Sequence, residues 1–173
     1  MKIYSQITYP YRKGLLQEMS QHPSIAEILD NGEFRKLARY RHHGFVSCLD
    51  HCIDVALLTF SLAVKQGCDS VSAARGALLH DLFFYDWRTG GPRLHGFRHP
   101  AIALANARRL FTLNSIEEDA ILRHMWPLTP VPPRYRESML VCYADKAVTC
   151  RDYRDSVRGA VSAIKKSFQK TAP

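Results

Sequence analysis

The sequence predicts an all-α, single-domain helical bundle, and three observations support this fold class. With 173 residues, the chain fits one domain and is long enough to bury a core. Its hydrophobic fraction of 46% is typical of a globular protein, and frequent Leu and Ala favour helix over sheet. Apolar residues recur at helical spacing, whereas strand-like alternation is almost absent. We expect one domain over 1–173, with a core at about 42–150, short helices in 1–41 and a basic helix in 151–173.

The helices of the first half follow from their periodicity and their end signals. Residues 30–32, with the sequence Asp-Asn-Gly, predict a turn between two short helices. Ser47 or Asp50 can cap the long helix that follows, because both side chains accept hydrogen bonds from free backbone N–H groups. Asp69 or Ser70 can cap the next helix in the same way. The predicted helical segments of this half are 14–28, 34–40, 47–65 and 70–84.

The second half begins with a loop at 86–92 that is rich in Gly and Pro. Pro100 fits the first turn of a helix that runs to about residue 111. Ser115 can cap the next helix, which we expect to end at Trp126 and Pro127 because proline stops a helix. The last two predicted helices are 134–150 and 153–167.

Composition also limits the compartment and the partners. The N-terminus lacks an apolar signal segment, and no apolar run reaches the roughly 18–20 residues that span a bilayer. The five cysteines form no CxxC pair, as expected for small buried residues in a reducing compartment. We therefore expect a cytoplasmic protein without a membrane partner. A homo-oligomer is compatible with the sequence.

The net charge of +8 suits an anionic partner, such as a phosphorylated metabolite, a nucleotide or a nucleic acid. The basic residues are scattered, although they are enriched in the C-terminal tail, where a solvated helix face is the simpler interpretation. No aromatic-rich strand is present that could stack nucleic-acid bases. The sequence therefore favours a small phosphorylated ligand or nucleotide over a nucleic acid.

Six residues form the pattern that carries the chemistry. Asp81 and Asp145 lie in apolar helical stretches, where an ionised carboxylate is costly unless it is paired or bound to a cation. Imidazole and carboxylate together suit a divalent transition metal such as Fe, Mn, Zn or Co, and helical bundles build interior metal sites from facing helices. The six candidate ligands are His51, His80, Asp81, His99, His124 and Asp145.

Each of these residues has an ordinary explanation when it is taken alone. A single His51 would more often be a hydrogen-bonded core or surface histidine, and His124 at a helix C-terminus could simply favour the helix dipole. The joint pattern is harder to explain in this way, because the six residues fall on successive helical segments in mostly apolar surroundings. We therefore prefer the metal site as the interpretation of the whole set.

The region from about His51 to Lys146, a little over half of the chain, resembles the HD superfamily of metal-dependent phosphohydrolases. The motifs HCIDVA, ALLHDL and YADKA carry this resemblance, in that order and each on a predicted helix. The additional histidines in HGFRHPA and ILRHM resemble the subset that binds two metals. The chain is most similar to small bacterial HD proteins, including those that hydrolyse symmetrical dinucleoside tetraphosphates.

The resemblance implies roles for the six residues. One ion would be held by His51, His80, Asp81 and Asp145. Asp81 would bridge to a second ion, which His99 and His124 would complete. A water or hydroxide between two such divalent ions would attack the phosphorus atom.

Two pairs of histidines leave alternatives open. His95 lies four residues before His99, so either could supply the fifth ligand; we prefer His99 because its His-Pro sequence matches the short pattern of the family. His95 would then be a loop residue that touches the substrate. His42 and His43 precede the first motif, as surface or cap residues or as part of the rim of the active site.

The phosphate needs cations that are not metal ligands. Lys146 directly follows the last predicted ligand and is the first candidate, in a catalytic role at the pocket edge. Arg88, in the Gly- and Pro-rich loop, and Arg98, next to His99, could contact phosphate in a bidentate manner. Trp126 could stack on a nucleobase, although tryptophan more often packs in a core.

Three functions fit the sequence. The first is hydrolysis of a phosphate ester or anhydride of a nucleotide or small phosphorylated metabolite. The second is a di-iron oxygenase of the HD type, because the resemblance extends to oxygenases with the same six ligands. The third is a non-catalytic ligand-binding module, which the complete set of ligands argues against.

Overall fold

The computed structural model describes residues 9–42 and 46–170, with side chains over 12–42 and 46–162. Within these residues it has eight α-helices, one 3-10 turn and no strand, apart from an isolated bridge between Arg41 and Ser47. The predicted all-α fold is confirmed. The helices are α1 (Tyr9–Ser20), α2 (Pro23–Asp30), α3 (Gly32–Arg35), α4 (Cys48–Gln66), α5 (Ser70–Leu79), α6 (His95–Leu110), α7 (Ser115–Arg123) and α8 (Arg136–Lys170), with the 3-10 turn at Lys36–Arg39.

Helix α4 lies at the centre of the bundle. It packs against α5 and α8, and α5 and α8 also contact each other and α7. Helix α6 is joined to this group mainly through α7. The core is aliphatic and includes Val55, Leu78 and Ile121, each with an exposed fraction of 0%. None of the helices in the described part of the chain is long and apolar enough to cross a membrane.

The caps of α4 and α5 agree with the sequence. The Ser47 hydroxyl accepts a hydrogen bond from the Asp50 backbone N–H, at 3.1 Å between Oγ and N, so α4 begins at the next residue, Cys48. The Asp69 carboxylate accepts from the Ser72 backbone N–H at 3.0 Å. These caps fix where the two central helices start, and therefore which of their side chains face the interior.

Two predicted helix ends are wrong in the middle of the chain. Helix α5 ends at Leu79 rather than near residue 84, because Leu82 and Phe83 are buried in a tight turn and not on a helix face. Apolar side chains at these positions fit a buried turn as well as a helix. Helix α6 starts at His95, so Pro100 lies in its second turn rather than its first, where it removes one intrahelical hydrogen bond and its ring crowds the carbonyl group of Gly96.

The later helices also differ from the prediction. Asn114, not Ser115, caps α7, because its side chain and that of Glu117 each accept a hydrogen bond from the other's backbone N–H. Helix α8 is continuous, so the predicted break between residues 150 and 153 is wrong; no Gly or Pro occurs there to end the helix. The backbone of 151–170 therefore belongs to α8, and side chains after 162 lie outside the described residues.

A buried ion pair and a close helix contact hold α5 against α7. The Arg75 side chain donates to the Glu117 carboxylate at 2.6 Å, with exposed fractions of 5% and 3% for the two residues. At the next residue of α5, an ideal Cβ atom at Gly76 would lie 2.8 Å from the Cβ atom of Ala120. The two helix backbones can approach this closely only because residue 76 has no side chain.

We expect the substitution Gly76→Ala to destabilise the protein. The added methyl group must push α7 away, at a cost of about 1–3 kcal/mol for overpacking a tight core. Urea unfolding followed by circular dichroism measures the change in the free energy of unfolding.

The matched control is Gly14→Ala in α1, where nothing lies within 4 Å of an added Cβ atom. This change should leave the protein as stable or stabilise it by about 0.5–1 kcal/mol, since alanine is the better helix former. Equal effects of the two substitutions would contradict a steric role for Gly76.

Candidate metal centre

The structure brings all six predicted ligand side chains together in the interior. They come from five helical segments: α4, the end of α5, α6, the end of α7 and α8. Each has an exposed fraction of 8% or less. Their function as ligands stays a prediction, but their convergence from distant parts of the chain is a property of the fold. The six are His51, His80, Asp81, His99, His124 and Asp145.

One half of the cluster surrounds Asp145. The Nε2 atom of His51 lies 3.2 Å from Asp145 Oδ1, and the Nε2 atom of His80 lies 3.8 Å from the same oxygen. His80 Nε2 is also 3.5 Å from Asp81 Oδ2. One donor atom from each of His51, His80 and Asp145 falls within 4.8 Å of the others, so a single ion can contact all three.

The other half surrounds the second oxygen of Asp81. The Nε2 atom of His99 lies 3.1 Å from Asp81 Oδ1, and the Nε2 atom of His124 lies 3.6 Å from it. The two Nε2 atoms are 2.8 Å apart. The two oxygens of Asp81 therefore face different groups of histidines, which is the arrangement expected of a carboxylate between two sites.

Backbone carbonyls determine the tautomer of three of the histidines. The Nδ1 atoms of His80, His99 and His124 lie 2.7, 3.0 and 2.8 Å from the carbonyl oxygens of Ala77, His95 and Ile121. Because a carbonyl oxygen can only accept, Nδ1 carries the hydrogen in the neutral form of each ring, and Nε2 then presents a lone pair to the interior.

These lone pairs make the cluster a good fit for cations. The Nε2 atoms of His99 and His124 face each other, so without a cation one of the two rings must carry a second proton. Among the described residues, His80 Nε2 and Asp81 Oδ1 have no hydrogen-bond partner although both are buried. A bound divalent cation would satisfy all of these atoms, and imidazole with carboxylate suits Fe, Mn, Zn or Co.

The surrounding charges keep both carboxylates ionised. Burial would raise the pKa of Asp81, but the nearby His80 and His99 hold it well below its usual value. Burial would raise the pKa of Asp145 too, but the hydrogen bond with His51 and the nearby His80 lower it. Both side chains are thus in the form that binds metal.

The pKa values of the imidazoles are shifted in both directions. Burial and the neighbouring His99 and His80 lower the pKa of His124 to about 3, so this ring is neutral at physiological pH. Burial works against protonation of His51 as well, but its contacts with Asp145 and Asp152 raise the pKa to about 10. A cation held by His51 takes the place of that proton.

A second carboxylate, Asp152, lies behind His51. Its Oδ2 atom is buried and 3.7 Å from His51 Nδ1, while Arg151 donates to its Oδ1 atom at 2.8 Å. Arg151 also pairs with Asp54, which in turn accepts from Arg12 at 2.6 Å. This chain of ion pairs ties α8, α4 and α1 together around His51. Asp152 was not among the residues predicted from the sequence, although it follows Asp145 by seven residues and so shares its helix face.

A cavity of about 500 Å³ opens beside the cluster. Asp81, His99, His124 and Asp145 form part of its wall, whereas His51 and His80 lie deeper and do not line it. The lining also includes a largely apolar group, Trp87, Met125, Pro127 and Leu128. A small molecule can therefore reach the carboxylates and two of the histidines from this side.

Two of the predicted substrate-side residues line this cavity. The Nζ atom of Lys146 donates to the carbonyl oxygen of His124 at 2.9 Å, which anchors it at the wall. His95 lies between the rings of Trp87 and His99 and contacts the Tyr85 hydroxyl at 3.2 Å through Nδ1. His99, not His95, is the one close to Asp81, which agrees with our preference for His99 as the ligand.

Three other predicted substrate contacts do not line the cavity. Arg88 is paired with Asp86 in its own loop, at 3.1 Å between Nε and Oδ1. Arg98 is exposed, because adjacent helical residues point about 100° apart and His99 takes the inward direction. Trp126 is half-buried outside the cavity, and Trp87 supplies the aromatic wall instead.

His42 is part of the cluster rather than a surface or cap residue. Its exposed fraction is 7%, and its Nε2 atom is 2.7 Å from Asp81 Oδ2. It lies outside the helices, so no periodicity in the sequence could indicate which way it points. His43, the other half of the pair, lies outside the described residues.

Comparison with known proteins shows a distant similarity. The chain is similar to the proteins named ribonuclease Y from Thermotoga petrophila and Thermotoga maritima, with 29% identity over 150 residues in each case. The alignment covers 86% of this chain but only 27% of each relative, so the chain spans about a quarter of their length. No family model matches the chain. No solved structure matches it either.

Proposed function

We propose that this chain is a metal-dependent phosphohydrolase of the HD superfamily, acting on a phosphate ester or anhydride of a nucleotide or small phosphorylated metabolite. One observation carries the proposal: imidazole lone pairs and two ionised carboxylates converge in a buried cluster at the wall of a cavity. Without a cation the cluster leaves buried polar atoms unsatisfied, because the Nε2 atoms of His99 and His124 face each other and His80 Nε2 has no hydrogen-bond partner among the described residues.

Two ions fit the arrangement of donors better than one. His51, His80, Asp81 and Asp145 would hold the first ion. Asp81, through its other oxygen, would hold the second ion together with His99 and His124. Divalent ions at these places would supply Lewis acidity and a water of lowered pKa for attack on phosphorus. The fact that the two Asp81 oxygens face different histidines supports this division.

The remaining groups of the cavity would bind and orient the substrate. Lys146 supplies a fixed positive charge beside His124, where a phosphate oxygen could accept from its ammonium group. His95 presents a ring edge held by Tyr85. Trp87 offers an apolar surface for the organic part of the substrate.

The similarity to ribonuclease Y supports cleavage of a phosphoester bond, since this is the bond that a ribonuclease breaks. Because the chain spans only 27% of those relatives, RNA itself is one candidate substrate among several. A test should therefore include short RNA together with nucleotides and sugar phosphates.

The first experiment is elemental analysis of protein purified without added metal, combined with phosphate release from that panel. We expect about two equivalents of transition metal, as in two-metal phosphohydrolases, and hydrolysis of at least one member. Asp81→Asn keeps the shape of the side chain but removes its charge, so this variant should lose both the bound metal and the hydrolysis.

The matched control is Asp30→Asn, because Asp30 is exposed and pairs with Arg35 far from the cluster in sequence. It should keep the metal content and activity of the unmodified protein. Two irons without hydrolysis of any panel member would favour the oxygenase instead. No bound metal, even after reconstitution, would refute both enzymes and favour a ligand-binding module.

We also expect Asp152 to strengthen metal binding by orienting His51. A carboxylate behind a metal-bound imidazole typically contributes about 10–100-fold in affinity. Asp152→Asn should therefore weaken binding of the first ion by about this factor in a competition with a chromophoric chelator, a readout that is independent of turnover.

Asp155→Asn is the control for this substitution, because Asp155 lies on the same helix but is exposed and paired with Arg154. The affinity of this variant for the first ion should equal that of the unmodified protein. Equal affinities for Asp152→Asn and the unmodified protein would show that the carboxylate does not act on the metal through His51.

A further inference from the structure

We propose that His42 is a seventh metal ligand, which binds the same ion as His51 and Asp81. The inference rests on the proposed metal centre but goes beyond it, because the HD pattern in this sequence contains six ligands and places none at residue 42. The class of ligand that His42 would take is a divalent transition metal ion.

The placement of the ring supports this role. One donor atom from each of His42, His51 and Asp81 lies within 4.8 Å of the other two, a spacing that one ion can bridge with small adjustments. His42 Nε2 is 2.7 Å from Asp81 Oδ2, an oxygen that also faces His80 Nε2 at 3.5 Å. An ion that contacts this oxygen is therefore within reach of His42.

The ring of His42 is also held in place. It stacks on the ring of His51 with centroids 3.9 Å apart and planes 17° from parallel. Its backbone N–H donates to the carbonyl oxygen of Val46 at 2.9 Å, and the indole N–H of Trp87 donates to its carbonyl oxygen at 3.2 Å. A residue whose backbone is hydrogen-bonded and whose ring is stacked on a neighbour loses little conformational entropy on binding an ion.

A second role would give a similar metal-free geometry. His42 could act only as a hydrogen-bond donor to the Asp81 carboxylate, which would position that residue without contacting an ion. The two roles respond differently to substitution. Glutamine keeps an N–H donor at nearly the same reach but is a poor ligand for transition metals, whereas alanine removes both functions.

Cobalt(II) binding to the full chain tests the proposal without any substrate. The measurements are the equivalents bound, the affinity by chelator competition and the visible absorption spectrum, which responds to the number and type of ligands. If His42 is a ligand, His42→Ala and His42→Gln should both change the spectrum and lower the affinity for one of the ions by about tenfold or more. Loss of a ligand should cost at least as much affinity as loss of a residue that only orients a ligand.

The matched control is His22→Ala, because His22 packs edge-on against Phe60 and belongs to none of the donor groups described above. It should retain the spectrum of the unmodified protein. Should His42→Ala fail to fold, as judged by circular dichroism, His42→Gln still provides the decisive comparison.

The outcomes separate this inference from the proposed function. If the unmodified protein binds cobalt and His42→Gln has the same spectrum and affinity, His42 is a hydrogen-bond donor and the inference is overturned while the metal centre stands. If the unmodified protein binds no cobalt, the metal centre and the seventh ligand both fail.

Discussion

The rest of the structure depends on the burial of two ionised carboxylates in the middle of a helical bundle. Asp81 and Asp145 have exposed fractions of only 3% and 8%, and an isolated charge there would cost several kcal/mol. Imidazoles from four helical segments surround them, so the fold must bring these segments together at one level. The packing of α4 against α5 and α8, both of which also contact α7, has this result.

The C-terminal ends of α5 and α7 contribute to this convergence. His80 and His124 are the C-cap residues of α5 and α7, and each contacts through Nδ1 the carbonyl oxygen three residues earlier. Carbonyls in the last turn of a helix lack intrahelical partners, so the same contact satisfies the helix end and fixes the tautomer. Two helices that end at the same depth can thus present two Nε2 lone pairs to one carboxylate. The close approach at Gly76 helps to keep α5 and α7 in this register.

Much of this architecture could be predicted from the sequence, and the failures have physical causes. The cap of α4 and the six converging residues were predictable, since periodicity and cap chemistry are local signals. The positions of Arg88, Arg98 and His42 were not. Arg88 pairs with a neighbour two residues away, Arg98 is turned outward by one helical step, and His42 lies where no periodicity applies. The buried pair at Arg75 depends on tertiary packing alone.

The charges around the cavity affect how it would bind an anion. The chain has a net charge of +8, yet among the described residues that line the cavity Lys146 is the only lysine or arginine. Its ammonium group already donates to the carbonyl oxygens of His124 and Cys142. Without a metal, Asp81 and Asp145 are balanced by Lys146 and by protonated imidazoles such as His51, whose pKa is raised to about 10. Divalent ions in place of those protons would leave the wall of the cavity positively charged, so under the proposed function metal binding would prepare the cavity for a phosphate group as well as for its hydrolysis.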